Sequence, residues 1–557
     1  MQWLIALVRA RWHLGLRAAL SIGLPMVIGV LIGRPDWGAL ASMGGLAGVY
    51  GGDTPRRHRI RLVGAVGLAM AIIVPVSSLC AHVTWVSVLY VGLVAGGASF
   101  CCLALRVPPP REYLIVLAAL VTTGMPSNLG GALRVCGLVA AGVVISIGVT
   151  IAIGPRDSLT PAVDRAWSAV GDLLRTAGTP EAGGARSRAV ATFAHLRDAL
   201  WQAGAGPDEL RSPAAAEIVF MAAISASIDA RGPLDAATWE PTFNDLRAGK
   251  LTPPNPQAQP GLRAAFAAAA GVLRPDVEVA ELEKIGVVEL LREARHSAAF
   301  PAAARIGVSV AIGAALGHSL GLAHAYWVAL TVAAVLLGTN LTVVVRRTWH
   351  RIAGTIVGVG IAAAIFSTHP ASLTVALVAL AAQFVAELVM PFVYAVGVSL
   401  ITFIPMALYH LANPGSDIGT ALGARLLDTL IGAALAVVLR FVLWPKATAA
   451  RLPQVQAATL RAITDLLRGR WLTPTHLDPL RRDVHRRWVA LHNVTQDVAA
   501  DQFRGDQRPD EITPALDELA ILSLGVPFGR PKPQPEDVEA LLKEFDRIAD
   551  SLQDGAP

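Results

Sequence analysis

Charged residues are scarce in this chain of 557 residues: Asp, Glu, Lys and Arg make up 16% of it, where an ordinary soluble domain carries about 25%. That deficit argues against a conventional water-soluble enzyme. The four cysteines, Cys80, Cys101, Cys102 and Cys136, lie in or beside apolar runs, form no C-x-x-C pair and read as small buried hydrophobes. No G-x-x-x-x-G-K-[ST] loop occurs, so ATP-driven pumping by this chain alone is not expected. Neither H-E-x-x-H nor G-x-S-x-G occurs, and no catalytic role or cofactor is expected. His318 and His324 are six apart and share no helical face, so they do not suggest a metal site. No alternating β pattern persists, which leaves an all-α chain.

What the sequence has is apolar bulk. Hydrophobic residues make up 54%, and the mean hydropathy is +0.53. Lipid is the solvent that fits. The 47 basic residues exceed the 41 acidic ones, but they cluster at the ends of apolar runs instead of forming one stripe. That distribution points to membrane topology and away from nucleic acid.

Apolar spans fall at 18–32, 37–51, 62–80, 83–105, 112–125 and 135–154, and again at 304–321, 325–345, 352–367, 371–388, 392–409 and 422–444. A helix crosses the hydrocarbon with about 20 residues, and shorter spans can cross within a bundle. Arg9, Arg11 and Arg17 ahead of the first run resemble the start of a signal peptide. No A-x-A-like site follows, so an uncleaved first membrane helix is expected. Arg56, Arg57, Arg59 and Arg61 follow the second span, and Arg346, Arg347 and Arg351 follow the eighth, whereas the alternate loops are nearly bare. The positive-inside rule then puts both termini and both long polar segments in the cytosol. Those segments show helical stripes, Val190, Phe193, Leu196 and Leu200 in one and Val484, Trp488, Leu491 and Val498 in the other.

The chain matches itself without gaps at an offset of 290 residues. Trp37 meets Trp327, Gly48 meets Gly338, and Arg56, Arg57, Arg61 and Gly64 meet Arg346, Arg347, Arg351 and Gly354; farther on, Gly142 and Pro155 meet Gly432 and Pro445. Four regions follow: a six-helix membrane block at 1–155, a cytosolic helical region at 156–300, a second block at 301–445 and a second cytosolic region at 446–557. An even number of spans per block makes the repeat parallel, with its pseudo-two-fold axis along the membrane normal.

The second block reads Tyr326-Trp327-Val-Ala-Leu-Thr331, then Arg346-Arg347, then Arg351-Ile-Ala-Gly354-Thr355-Ile-Val-Gly358. This pattern resembles the fusaric acid resistance-like family, which includes bacterial aromatic carboxylic acid exporters, and more distantly the plant aluminium-activated malate channels. The resemblance implies proton-driven efflux of organic anions across a bacterial inner membrane, with an organic anion and lipid as partners. A channel of the same architecture, or a membrane scaffold whose cytosolic helices bind another protein, are the alternatives. The first block departs from the pattern, reading Arg61-Leu-Val-Gly64-Ala65 where the second has Gly354-Thr355.

Two groups of residues are candidates for function. Arg56, Arg57, Arg61, Arg346, Arg347 and Arg351 either anchor the topology or form an electropositive mouth, since guanidinium groups hold carboxylates bidentately and keep their charge. Asp428 is the acid set deepest in a span; Arg425 at i,i+3 offers it an ion pair, and proton coupling is the sharper reading. Leu138 and Val135 occupy the matching places in the first copy. Trp37, Tyr326 and Trp327 begin spans and read as interfacial anchors. The G-x-x-x-G pairs 44/48, 313/317 and 354/358 suit close helix contacts.

Overall fold

The computed structural model describes all residues except 1, 53, 155–158, 278, 280–285, 296–298, 338–340, 413–417, 444–450, 473–476, 502–511, 526–533 and 555–557. Pro155, Gly338 and Pro445 of the repeat alignment lie outside the described residues. Every regular element among those described is helical. The chain packs as two units, one from Met1–Arg156 with Ile285–Pro445 and the other from Asp157–Lys284 with Lys446–Pro557.

The first stretch of the apolar unit holds α1 (Gln2–Leu31), α2 (Pro35–Gly45), α3 (Arg56–Cys80), α4 (Thr84–Ala104), α5 (Tyr113–Thr123) and α6 (Leu129–Ala152). The second unit contributes next, with α7 (Leu159–Thr176), α8 (Ala182–Ala203), α9 (Pro207–Asp229), α10 (Ala236–Arg247) and α11 (Pro260–Val272). The chain then returns through α12 (Val287–Arg295) to α13 (Ala299–Ser319), α14 (Tyr326–Leu336), α15 (Leu341–Phe366), α16 (Ser372–Val389), α17 (Tyr394–Ala412) and α18 (Ile418–Val442). It ends in the second unit with α19 (Leu452–Leu472), α20 (Leu477–Asp501), α21 (Ile512–Gly525) and α22 (Pro535–Asp554).

By length and composition, ten helices among the described residues could cross a membrane. Nine belong to the apolar unit. The tenth is α9, whose Val219, Phe220, Ala223 and Ile224 are packed inside the second unit. Its apolar faces are already covered by protein, so its hydropathy reflects a core position. The stripes read from the sequence, Val190 to Leu200 and Val484 to Val498, are buried in that unit too.

Three of the twelve spans read from the sequence are only half-helices. The helices α2, α5 and α14 have 11 residues each. At 1.5 Å per residue that is about 16 Å, half of a hydrocarbon core of about 30 Å. A helix that stops inside a bundle leaves carbonyls without donors, and in lipid these must be satisfied by protein. After α2 and its 3-10 turn at Leu46–Val49, Arg17 does this. Its Nε donates to the Gly48 carbonyl at 3.0 Å, Nη2 to Tyr50 at 3.2 Å and Nη1 to Gly52 at 3.2 Å. The sequence placed Arg17 on a flank; it is buried within the 30-residue α1. At the end of α14, the Leu337 carbonyl accepts from Arg111 Nη2 at 3.1 Å.

Packing recurs between the two halves of the apolar unit. The pair α1–α2 is matched by α13–α14, α2–α6 by α14–α18, and α3–α6 by α15–α18. Across the halves, α1 packs on α16 and α13 on α4, while α2 meets α17 and α14 meets α5. The repeated glycines explain one of these crossings. A Cβ on Gly142 would lie 1.8 Å from the Ala41 carbonyl oxygen, and one on Gly432 would lie 2.7 Å from that of Val328 and 2.8 Å from Thr331 Cβ. The half-helices α2 and α14 are therefore each crossed at backbone contact, which only glycine permits. The pair Gly354 and Gly358 seats α15 on α17 in the same way, whereas Gly64 faces open space.

Candidate functional site

Between the half-helices is an apolar cleft, open at its mouth. Four elements line it: α2 with Met43, α14 with Tyr326 and Trp327, α5 with Leu117 and Val121, and α17 with Tyr409. It is apolar with three aromatic rings, the kind of lining that holds a flat organic ligand.

Trp327 is the wall between this cavity and a buried polar layer. The sequence suggested an interfacial anchor, but Trp327 is 1% exposed. His324 stacks on it with ring centroids 4.5 Å apart, and the Arg425 guanidinium lies 5.1 Å from its ring centre. Packing by these two groups holds it inside. Tyr326 is half-buried at the cavity wall, and Trp37, the repeat counterpart, is half-buried under Arg34 at 4.1 Å.

Arg425 and Asp428 are both buried, but the ion pair their spacing offered is not closed. Arg425 turns instead onto Trp327. Its Nε and Nη1 and both Asp428 carboxylate oxygens have no hydrogen-bond partner among the described residues. One turn of the same helix separates them, so they act on each other by charge without contact.

The six loop arginines divide. Arg56, Arg57, Arg61 and Arg346 are exposed, and Arg56 donates to the Ile151 carbonyl at 3.3 Å. Arg347 is half-buried, 5.8 Å from the centre of the Tyr394 ring. Arg351 is 2% exposed and donates from Nη2 to Tyr113 Oη at 3.3 Å. Arg351 and Tyr113 both lie within Coulombic reach of Arg425, and Arg111 and Arg346 within reach of Arg347. Positive groups thus run through one half, from Arg425 past Arg351 to Arg347 and the exposed Arg346. The first copy brings no such series together, because Arg61 is exposed where Arg351 is buried and Val135 stands where Arg425 does.

Sequence reasoning missed Arg111, Tyr113 and Tyr394, which come from α5 and α17 and join the series only through the fold. It also passed over two acids at the ends of predicted spans. Glu112 is buried, with Arg111 Nε 3.6 Å from its carboxylate. Glu387 on α16 is within Coulombic reach of Arg11 and Arg17 on α1. The charged pair Arg111-Glu112 directly at the head of an apolar run was the available signal.

Residues 310–439 match the fusaric acid resistance protein-like family. The chain is 24% identical over 479 residues to the uncharacterized membrane protein YvaC of Bacillus subtilis (strain 168), covering 81% of this chain and 75% of that one. It is 28% identical over 229 residues to the uncharacterized protein ORF2 of Neisseria gonorrhoeae, covering 40% of this chain and 54% of that one. No solved structure matches. The matched segment runs from within α13 to within α18 and holds Trp327, Arg351, Arg425 and Asp428 alike; over it the chain is similar to the fusaric acid resistance protein-like family, and with its apolar helices the chain is a multi-pass membrane protein.

Proposed function

We propose that the protein is a proton-coupled secondary exporter of organic anions, aromatic carboxylates foremost, across a bacterial inner membrane. The observation that carries this reading is the aromatic cavity between α2 and α14, walled from the buried Arg425 by a single indole. Aromatic walls suit a ring-shaped ligand, and a guanidinium behind them suits a carboxylate. The family supports transport in general; the substrate class and the coupling ion belong to the proposal.

In this reading the apolar unit is two parallel six-helix repeats, and the recurring helix pairs support that arrangement. Substrate would sit at the repeat interface beside interrupted helices, where many secondary transporters place it. The arginine-rich ends of α3 and α15 face the cytosol, as do both termini and both polar segments. Asp428 is the proton-carrying group: it is a buried carboxyl at membrane depth whose two oxygens have no hydrogen-bond partner among the described residues.

The test uses purified protein in liposomes loaded with labelled benzoate. An imposed proton gradient should drive uphill benzoate movement that an uncoupler collapses. Asp428→Asn should lose uphill movement and keep benzoate–benzoate exchange. Electrogenic flux indifferent to the uncoupler would establish a channel, and absence of flux across a panel of aromatic acids would favour a scaffold.

A further inference from the structure

Arg351 and Arg425 are two buried guanidinium groups in one layer of the membrane unit, each 2% exposed. Among the described residues no carboxylate reaches either at ion-pair distance. Among those residues Arg351 Nε and Arg425 Nε and Nη1 have no acceptor. Arg351 lies within Coulombic reach of Arg425, and Asp428, one turn from Arg425, acts on it by charge without contact, so two like charges share at most one carboxylate that touches neither. Burying a single unpaired charge is costly, and burying two together is worse. Such an arrangement persists where a ligand supplies the missing charge.

We infer that Arg351 and Arg425, with the Tyr113 hydroxyl as a neutral third donor, form a single carboxylate-binding site per chain. This inference rests on the transport reading and gives it an address. The donors are complementary to a carboxylate: Arg425 keeps two N–H groups free, and Arg351 already points Nη2 at Tyr113. A ligand ring would rest against Trp327 on the cavity side while its carboxylate enters the arginine layer. The indole would have to swing aside for it, since Trp327 now fills that position. The site is single because the repeat counterparts of Arg351 and Arg425 are the exposed Arg61 and the apolar Val135. A phosphate would meet the same donors but has no ring for the cavity, so an aromatic monocarboxylate is the favoured ligand.

The experiment is equilibrium binding of radiolabelled benzoate to the full-length protein in lipid nanodiscs, with benzamide as the uncharged competitor. One benzoate per chain is expected, undisplaced by benzamide. Arg351→Met and Arg425→Met should each weaken binding by about tenfold or more, the loss expected for a charge-assisted hydrogen bond. Tyr113→Phe, which removes only a hydroxyl, should weaken it severalfold and guards against misfolding of the arginine variants. Arg61→Met should bind as the wild type does. A melting temperature in the absence of benzoate that is unchanged or raised in Arg351→Met would separate a ligand site from a structural role. Two sites per chain, equal displacement by benzamide, or unaltered binding by both arginine variants would overturn the inference. Export of benzoate by a protein that shows no such binding would overturn it too and leave the transport reading standing. Binding as described without any flux would leave the site and remove the transport reading.

Discussion

Replacing Arg17 by methionine keeps the length and apolar stem of the side chain and removes its guanidinium. Three carbonyls, those of Gly48, Tyr50 and Gly52, then lose donors at 3.0, 3.2 and 3.2 Å. Each buried acceptor left without a donor costs about 1–3 kcal/mol. Some relaxation of the turn is available, so three together come to about 3–6 kcal/mol. The acceptors lie where a half-helix ends inside a bundle, and no lipid group replaces the lost donors. Glu387 also loses a neighbouring positive charge. Arg17→Lys keeps the charge but offers one nitrogen in place of a three-pronged fork, and should fall between the two. Equilibrium unfolding of purified protein in mixed detergent micelles measures all three. If Arg17→Met unfolds within about 0.5 kcal/mol of the wild type, the range of an inert surface change, the claim that Arg17 supports the end of α2 is wrong.

The other expectations follow from single observations. Gly142→Ala forces a methyl into the Ala41 carbonyl and should lower the melting temperature sharply, whereas Gly64→Ala meets nothing and should leave it unchanged or slightly raised by helix propensity; if both melt alike, the glycine crossing carries no weight. His485 in the second unit is buried, with Arg197 and Arg481 nearby, and burial and those charges hold its pKa well below the usual value. Its unfolded form therefore takes up a proton first, so its contribution is full above about pH 6.5 and is lost as pH falls through that value; His485→Phe should flatten that acid-side loss in thermal melts of the full chain. In a background without the four cysteines, cysteines at the exposed Arg57 and Trp349 should react with an impermeant maleimide only after the cells are opened. Labelling in intact cells would reverse the orientation.

Helix content and the positions of the apolar helices could be read from the sequence because lipid demands long uninterrupted apolar runs, which are hard to disguise. The half-helices could not. Residues 37–51 and 325–345 carry no charge, and the break after Gly45 depends on Arg17, which lies 28 residues earlier and on another helix. The glycine motifs at 313/317 and 354/358 were legible as contacts, though not which helix each would meet. The candidate site was legible in part. Arg425 and Asp428 stood out as charges within an apolar span and Arg351 as part of an arginine-rich loop, but Tyr113 and Arg111 are ordinary residues at the head of a short span. The expected Arg425–Asp428 pair failed for a physical reason: spacing allows a contact, and the Trp327 face competes for the same guanidinium.

Hydrogen bonds to the backbone separate Arg17 and Arg59 from Arg351 and Arg425. In the first copy Arg17 is anchored on three backbone carbonyls, and Arg59 donates from Nη1 to the Thr54 carbonyl at 3.1 Å in the same turn. Their repeat counterparts are Gly307, pressed against the Gly92 carbonyl, and the exposed Trp349. In the second copy Arg351 and Arg425 donate to no backbone carbonyl. A guanidinium whose N–H groups point at main-chain oxygens is holding a turn, and moving it would cost those bonds. One with buried, idle N–H groups stays where it is at a standing cost, which evolution retains when a ligand repays it. Symmetry of the helices therefore does not extend to the chemistry. The two halves share recurring helix pairs and glycine crossings; Arg17 and Arg59 hold the backbone, and in the reading proposed above Arg351 and Arg425 hold an anion.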